Sequence, residues 1–188
     1  MCFISLEKVL SGQERTFYSF KIYEQEEVET DVEQTEFDKF NEAFEYYQQD
    51  SPQENKKIKE EHQIIIGTIA KLVNYKTSAL CSTFFRAERR ASALPPPLNK
   101  NKVSNILVAP NSKLRLYCYI LNDHIIILCG GGIKSEQQAE RCPNVQAHFF
   151  LANRIAEFFD AEKKNLGIDQ QSKQLPDECL GYNQGFTI

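Results

Sequence analysis

The sequence predicts an α+β fold: a helical hairpin packed on a small antiparallel sheet, with a C-terminal helix. Three observations carry that expectation. Two helix starts with capping chemistry stand at Thr35 and Ser51, each followed by apolar residues at helical spacing. Two strand-like runs, Leu114 to Leu121 and His124 to Cys129, flank an Asn122-Asp123 dipeptide suited to a tight turn. Pro143 then opens a third helical stripe. The chain divides into an N-terminal strand and acidic loop extension over 1–34, a main domain over 35–166 and a C-terminal tail over 167–188. Its 188 residues are 41% apolar and include 13 Phe and 8 Tyr, which suffices for one hydrophobic core.

The elements follow in order. Over residues 16–23, Tyr18, Phe20 and Ile22 fall on one face of a strand. The acidic stretch from Glu24 to Glu33 reads as a solvated loop. Thr35 with Asp38 forms a capping box, and Phe37, Phe40, Phe44 and Tyr47 follow at helical spacing. At the second start Ser51 caps, Pro52 takes the first helical position and Glu54 stands three after the cap. Its stripe is Ile58, His62, Ile65, Ile69 and Leu72, flanked by Ile66 and Val73. Gly67 interrupts this helix at a cost of about 1 kcal/mol relative to Ala, which close packing against another element would offset. The short link between the two helices makes an antiparallel hairpin.

Beyond the hairpin the period changes. Leu80 to Phe85 reads as extended, Pro95-Pro96-Pro97 forces a loop, and Ile106-Leu107-Val108 is a short strand candidate. Gly130-Gly131-Gly132 ends the last strand, since its spacing is not that of a phosphate-cradling loop. The final helix carries Val145, Phe149, Ala152, Ala156 and Phe159 on one stripe and stops near Gly167.

Charge is uneven along the chain. Residues 1–75 hold 8 Lys/Arg against 16 Asp/Glu, whereas residues 76–164 hold 13 against 7. An acidic front on a basic middle is either ordinary surface scatter or a basic site for an anionic partner. No apolar run reaches the roughly 18 residues that span a bilayer, and the first residues lack a signal peptide's pattern. The expected location is cytoplasmic, with Cys2, Cys81, Cys118, Cys129, Cys142 and Cys179 reduced. Cys118, His124, Cys129, Cys142 and His148 lack zinc-ligand spacing, so neither metal nor cofactor is expected. His62 and His148 lie near apolar stripes and read as partly buried structural residues.

The hairpin at Asn122-Asp123 carries the most chemistry. A two-residue loop pairs Tyr119 with Ile126, Tyr117 with Leu128 and Arg115 with Gly130. Alternation places Arg115, Tyr117 and Tyr119 on one face; Leu116, Cys118 and Ile120 share the other with Ile125, Ile127 and Cys129. Arg115 then stands at the open end of the hairpin, with Lys134 just past the adjacent strand, so both cations converge on one phosphate. A register slip of one residue would undo that neighbourhood.

Several segments, in this order, carry a family resemblance: Phe84-Phe85-Arg86-Ala87-Glu88, Ala93-Leu94-Pro95-Pro96, Leu114-Arg115-Leu116-Tyr117-Cys118, His124-Ile125-Ile126-Ile127-Leu128, Gly131-Gly132-Ile133-Lys134, and the helix after Cys142-Pro143. With strand, helical hairpin, antiparallel strands and terminal helix, the chain resembles the RelE/ParE toxin superfamily, and within it HigB-like toxins, over roughly residues 35–160. The resemblance implies the toxin component of a type II toxin–antitoxin system, which cuts messenger RNA, usually on the ribosome, and is held by a cognate antitoxin protein. It implies that Arg115 contacts the scissile phosphate and that Lys134 is the basic residue after the last strand. Arg86 is a further candidate for RNA contact, with Arg89 and Arg141.

Such an endoribonuclease activates a ribose 2′-hydroxyl to attack the adjacent phosphate and needs no metal. Arg115 and Lys134 supply charge, and Tyr117, or less readily His124, takes part in proton transfer. A tyrosine with pKa near ~10 is a poor base unless strongly perturbed, so Tyr117 alternatively orients substrate or stacks on a base. The chain is longer than a minimal toxin, acidic overall, and sparse in basic residues after Lys134. The alternative is therefore a catalytically inactive RelE-like module that binds RNA or a partner protein.

Overall fold

The structure, a computed structural model, describes residues 3–23, 33–76, 84–96 and 112–180. Its elements are β1 (Phe3–Ser11), β2 (Thr16–Tyr23), α1 (Glu36–Glu45), α2 (Pro52–Leu72), β3 (Arg86–Glu88), β4 (Ala91–Leu94), β5 (Leu114–Ile120), β6 (Ile125–Ile133) and α3 (Pro143–Glu162). The strands form one six-stranded sheet in the order β1-β2-β6-β5-β4-β3. The α+β class holds, but the sheet is larger than expected and is mixed rather than antiparallel, because β2 pairs parallel with β6 through Thr16↔Ile125 to Tyr18↔Ile127. Between β2 and β6 the chain passes through the helical hairpin and then β3, β4 and β5, a connection long enough to bring a strand back in the same direction.

Both hairpin helices start where their caps predict. The Thr35 hydroxyl accepts from the Asp38 amide at 3.2 Å while the Asp38 carboxylate accepts from the Thr35 amide at 3.0 Å, completing the capping box. The Ser51 hydroxyl accepts from the Glu54 amide, with Pro52 in the first turn. Phe37, Phe40 and Phe44 of α1 and Ile58, Ile65, Ile69 and Leu72 of α2 pack against Leu114, Leu116, Cys118, Ile126 and Leu128 of the sheet. Gly67 does not fit its expected role: a Cβ built there meets nothing within 4 Å, so no close packing offsets the glycine.

The opposite sheet face carries a second core. Val145, Phe149, Ala152, Ile155, Ala156 and Phe159 of α3 cover Tyr18, Phe20, Tyr117, Tyr119, Ile125 and Ile127, with Ile22 at the margin. β1 adds Ile4 and Leu6 to this layer, and the segment after α3 folds back to add Ile168, Leu175 and Cys179. Leu180 makes a parallel bridge with Leu6, and the Leu175 amide donates to the buried Tyr18 hydroxyl at 3.0 Å. Residues 3–23 and 168–180 are thus built into the same sheet and cores as the middle of the chain.

Two features of the β5–β6 hairpin differ from the expected register. The connection holds three residues, because the Asn122 side chain accepts from the amides of both His124 and Ile125 at 2.8 Å and Leu121 already pairs with Ile125. Tyr119 consequently faces Ile127 rather than Ile126. A bulge then shifts the ladder again between Leu116↔Gly131 and Cys118↔Leu128, leaving Cys129 and Gly130 of β6 opposite Tyr117 alone. Gly130 supplies the positive φ, +76°, at this bulge. Together they place Arg115 opposite Gly132, not Gly130, and put Ile125, Ile127 and Cys129 on the α3 face with Tyr117 and Tyr119. The glycine run does not end the strand; β6 continues through it to Ile133. A Cβ on Gly131 would lie 1.9 Å from the Arg115 carbonyl oxygen, so β5 approaches β6 only because that position is bare.

Strands β1, β3 and β4 extend the sheet beyond the expected set. The Ile106-Leu107-Val108 strand candidate, residues 80–83 of the extended segment, Pro97, and residues 24–32 of the acidic loop lie outside the described residues. Among the described residues, no helix is long and apolar enough to cross a membrane. Cys118, Cys129, Cys142 and Cys179 are buried.

Candidate functional site

The predicted cations gather at one end of the sheet. Arg115 lies opposite Gly132 and is only 6% exposed. Its Nη1 donates to the carbonyls of Ser112 and Leu114 at 2.7 and 2.8 Å, while its Nε is buried without a partner. Burial, then the neighbouring Arg86 cation, lowers its pKa to about 10, so it remains charged at neutral pH. Arg86 pairs with Ala93, which pairs with Tyr117, so these three share a row on the α3 face. The Arg86 Nε is also buried without a partner.

Lys134 follows β6, and its amide donates to the Lys113 carbonyl at 2.8 Å, which sets it at the same sheet end as Arg115. Among the described residues, none of Arg86, Arg115, Lys134 and Arg141 has a carboxylate within ion-pair distance. Arg89 is differently placed. Its backbone takes a positive φ of 61° at the β3–β4 turn, its guanidinium lies 5.3 Å from the Phe149 ring centroid, and it pairs with Glu140. Arg141 is exposed at the end of a short 3₁₀ turn just before α3.

The tyrosines are core residues. Tyr117 is fully buried, packs edge-on against Phe149 and has an unpartnered hydroxyl. Burial, with Glu88 second, pushes its pKa far above the ordinary phenol value. The Tyr119 hydroxyl donates to Asp160 at 2.7 Å, and burial likewise raises its pKa. His124 is spent on the Glu14 carbonyl at 2.7 Å, tying the β5–β6 turn to the β1–β2 turn. This end of the sheet can therefore hold an anion, but Tyr117 is not a base at neutral pH.

A groove of about 380 Å³ adjoins this end, where β6 runs past its pairing with β2 and α1 approaches α3. Gly131 and Gly132 floor it, Phe40, Phe44 and Tyr47 of the α1 side wall it, and Glu36 and His148 lie next to each other in its lining. The Glu36 Oε1 pairs with Lys39 at 2.8 Å, and its Oε2 stands 4.0 Å from the His148 Nδ1. Burial lowers the His148 pKa, opposed by Glu36, so the imidazole is neutral at neutral pH. From the sequence His148 reads as a structural residue, and Glu36 carries no site pattern. The one available signal was His148's place, with Asn144, on the margin of the α3 stripe, four residues apart. No family model matches this sequence, and no curated protein or solved structure shows significant similarity to it.

Proposed function

We propose that this chain is an RNA-binding protein of the RelE/HigB toxin kind, which receives an RNA phosphate at the sheet end formed by Arg86, Arg115 and Lys134. One observation carries the reading: Arg86 and Arg115 are neighbours at this sheet end, each with a buried Nε that has no hydrogen-bond partner, and neither has a carboxylate within ion-pair distance among the described residues. A buried and a half-buried cation in that arrangement favour an anion between or beside them. Support also comes from the chain order of β2, the helical hairpin, β3 to β6 and α3, which is the order of elements in the family it resembles.

Binding is favoured over cutting. Tyr117 is sealed under Phe149 with a raised pKa, and a general base needs both access and a pKa near the working pH. An antitoxin partner remains part of the proposal through the same resemblance. The test is anisotropy titration of a labelled single-stranded RNA at several salt concentrations. Arg86→Ala and Lys134→Ala should each weaken binding and reduce the slope of log affinity against log salt by about 0.7. Arg115→Lys keeps a buried cation and should weaken binding less. Unchanged affinity and slope in both alanine variants would sink the proposal. Cut messenger after incubation with translating ribosomes would instead show that the site is catalytic.

A further inference from the structure

We propose that the groove between α1 and α3 is a nucleobase subsite that selects guanine; it rests on the RNA reading above and names the base held beside that phosphate. A base needs a flat slot, an apolar wall and hydrogen-bonding groups for its edge. Gly131 and Gly132 line its floor, where the Arg115 and Asn144 carbonyls fill the places their side chains would take, so the floor there is backbone. Phe44 and Tyr47 form one wall, their rings stacked at 5.8 Å. The volume, about 380 Å³, lies within the range of small-ligand sites.

The edge chemistry distinguishes the bases. Glu36 lines the groove, and no described residue donates a hydrogen bond to its Oε2; Oε1 holds Lys39. An ionised carboxylate only accepts. Guanine presents two adjacent donors, N1–H and N2–H, on its Watson–Crick edge. Adenine and cytosine each put a ring-nitrogen acceptor beside their amino group, and uracil flanks its single donor with two carbonyls. A carboxylate therefore meets guanine without a clash of lone pairs and meets the other three with one. Lys39 compensates the Glu36 charge, so the site repels a nucleotide's phosphate less than a bare carboxylate would. Lys134 directly follows Ile133, which lines the groove, so a phosphate attached to the bound nucleoside is directed to the sheet end already assigned to it.

The experiment is calorimetric titration of the full chain with GMP, AMP, CMP, UMP, guanosine and adenosine. GMP should bind at least about tenfold more tightly than the other three, the scale of discrimination a well-matched base contact supplies. Glu36→Gln should abolish that preference while leaving the melting temperature near that of the parent chain. Guanosine should bind more weakly than GMP but keep its preference over adenosine, since its selectivity does not use the phosphate. Guanine preference with RNA affinity indifferent to Arg86→Ala would support the base subsite and overturn the phosphate reading alone. Equal binding of all four nucleotides, no binding of any, or a preference that survives Glu36→Gln would overturn the subsite.

Discussion

At the residue scale, two side-chain positions on α2 show opposite balances between local cost and tertiary gain. Gly67 keeps the backbone penalty of glycine in a helix interior, and a Cβ there meets nothing within 4 Å. Gly67→Ala should therefore stabilise the fold by about 1 kcal/mol, through the unfolded chain as much as the helix. A urea midpoint that falls in this variant would contradict the open space around the residue. Glu61 is the reverse case, a carboxylate 2% exposed on a helix face. Its Oε2 accepts from the Ser112 hydroxyl at 3.0 Å and from the amides of Lys113 and Leu114 at 2.9 and 2.8 Å. These contacts hold the entry to β5, and with it Arg115, against the hairpin. Glu61→Ala leaves two amides and a hydroxyl without their acceptor and should cost about 3 kcal/mol in chemical denaturation. A loss below a few tenths would mean that the entry to β5 finds other partners.

At the element scale, the β5–β6 turn decides which side chains meet, and a single asparagine builds it. The Asn122 carbonyl oxygen accepts the His124 and Ile125 amides, while its NH₂ donates to the carbonyls of Asp169 at 2.7 Å and Ser172 at 2.9 Å. One residue thus sets the turn and anchors the segment after α3. Asn122→Asp keeps the acceptor and loses both donors. It should leave the hairpin intact yet speed tryptic cleavage at Lys164 and Lys173, whereas Asn122→Ala should disturb the hairpin as well. Equal cleavage rates in parent and Asn122→Asp chains would dissociate the turn from the tail. This turn also explains what could be read in advance. The capping box at Thr35 and the Ser51-Pro52 start involve residues three apart, so they were legible in the sequence. The hairpin's existence was legible too, from Leu114 to Cys129. Its register was not, because it depends on the third loop residue and on the Gly130 bulge, and each shifts the pairing by one. β3 and β4, of three and four residues, are too short to show a period. Arg115 and Lys134 could be placed at one end because they lie on one hairpin, but Glu36 and His148 are brought together only by two helices packing around the end of β6.

At the scale of the whole molecule, the sheet is a partition between two cores, and its two faces close differently. The hairpin face is covered by helices that begin with their own caps and supply their own apolar stripes. The α3 face is not covered by α3 alone. β1 and β2 lie at the far edge from β3 and β4, and there Ile168, Leu175 and Cys179 complete the layer over Ile4, Leu6 and Tyr18. The Tyr18 hydroxyl has its hydrogen bond from the Leu175 amide, and the Leu180 bridge extends the sheet along β1. Removing residues 167–188 would uncover the apolar side chains of β1 and β2 and leave a buried phenol without its donor, two of the named routes to large destabilisation. The chain ending at residue 166 should therefore melt at least about 10 °C lower and bind a hydrophobic dye that the full chain does not. The sheet end at Arg115 lies on β5, two strands away from β2, so residual RNA binding by the shortened chain at low temperature is expected to keep its dependence on Arg86. Unchanged melting and no dye binding would show that the two outer strands hold their face without the segment after α3. A sharp melting transition with RNA binding lost would instead tie that segment to the phosphate-binding end.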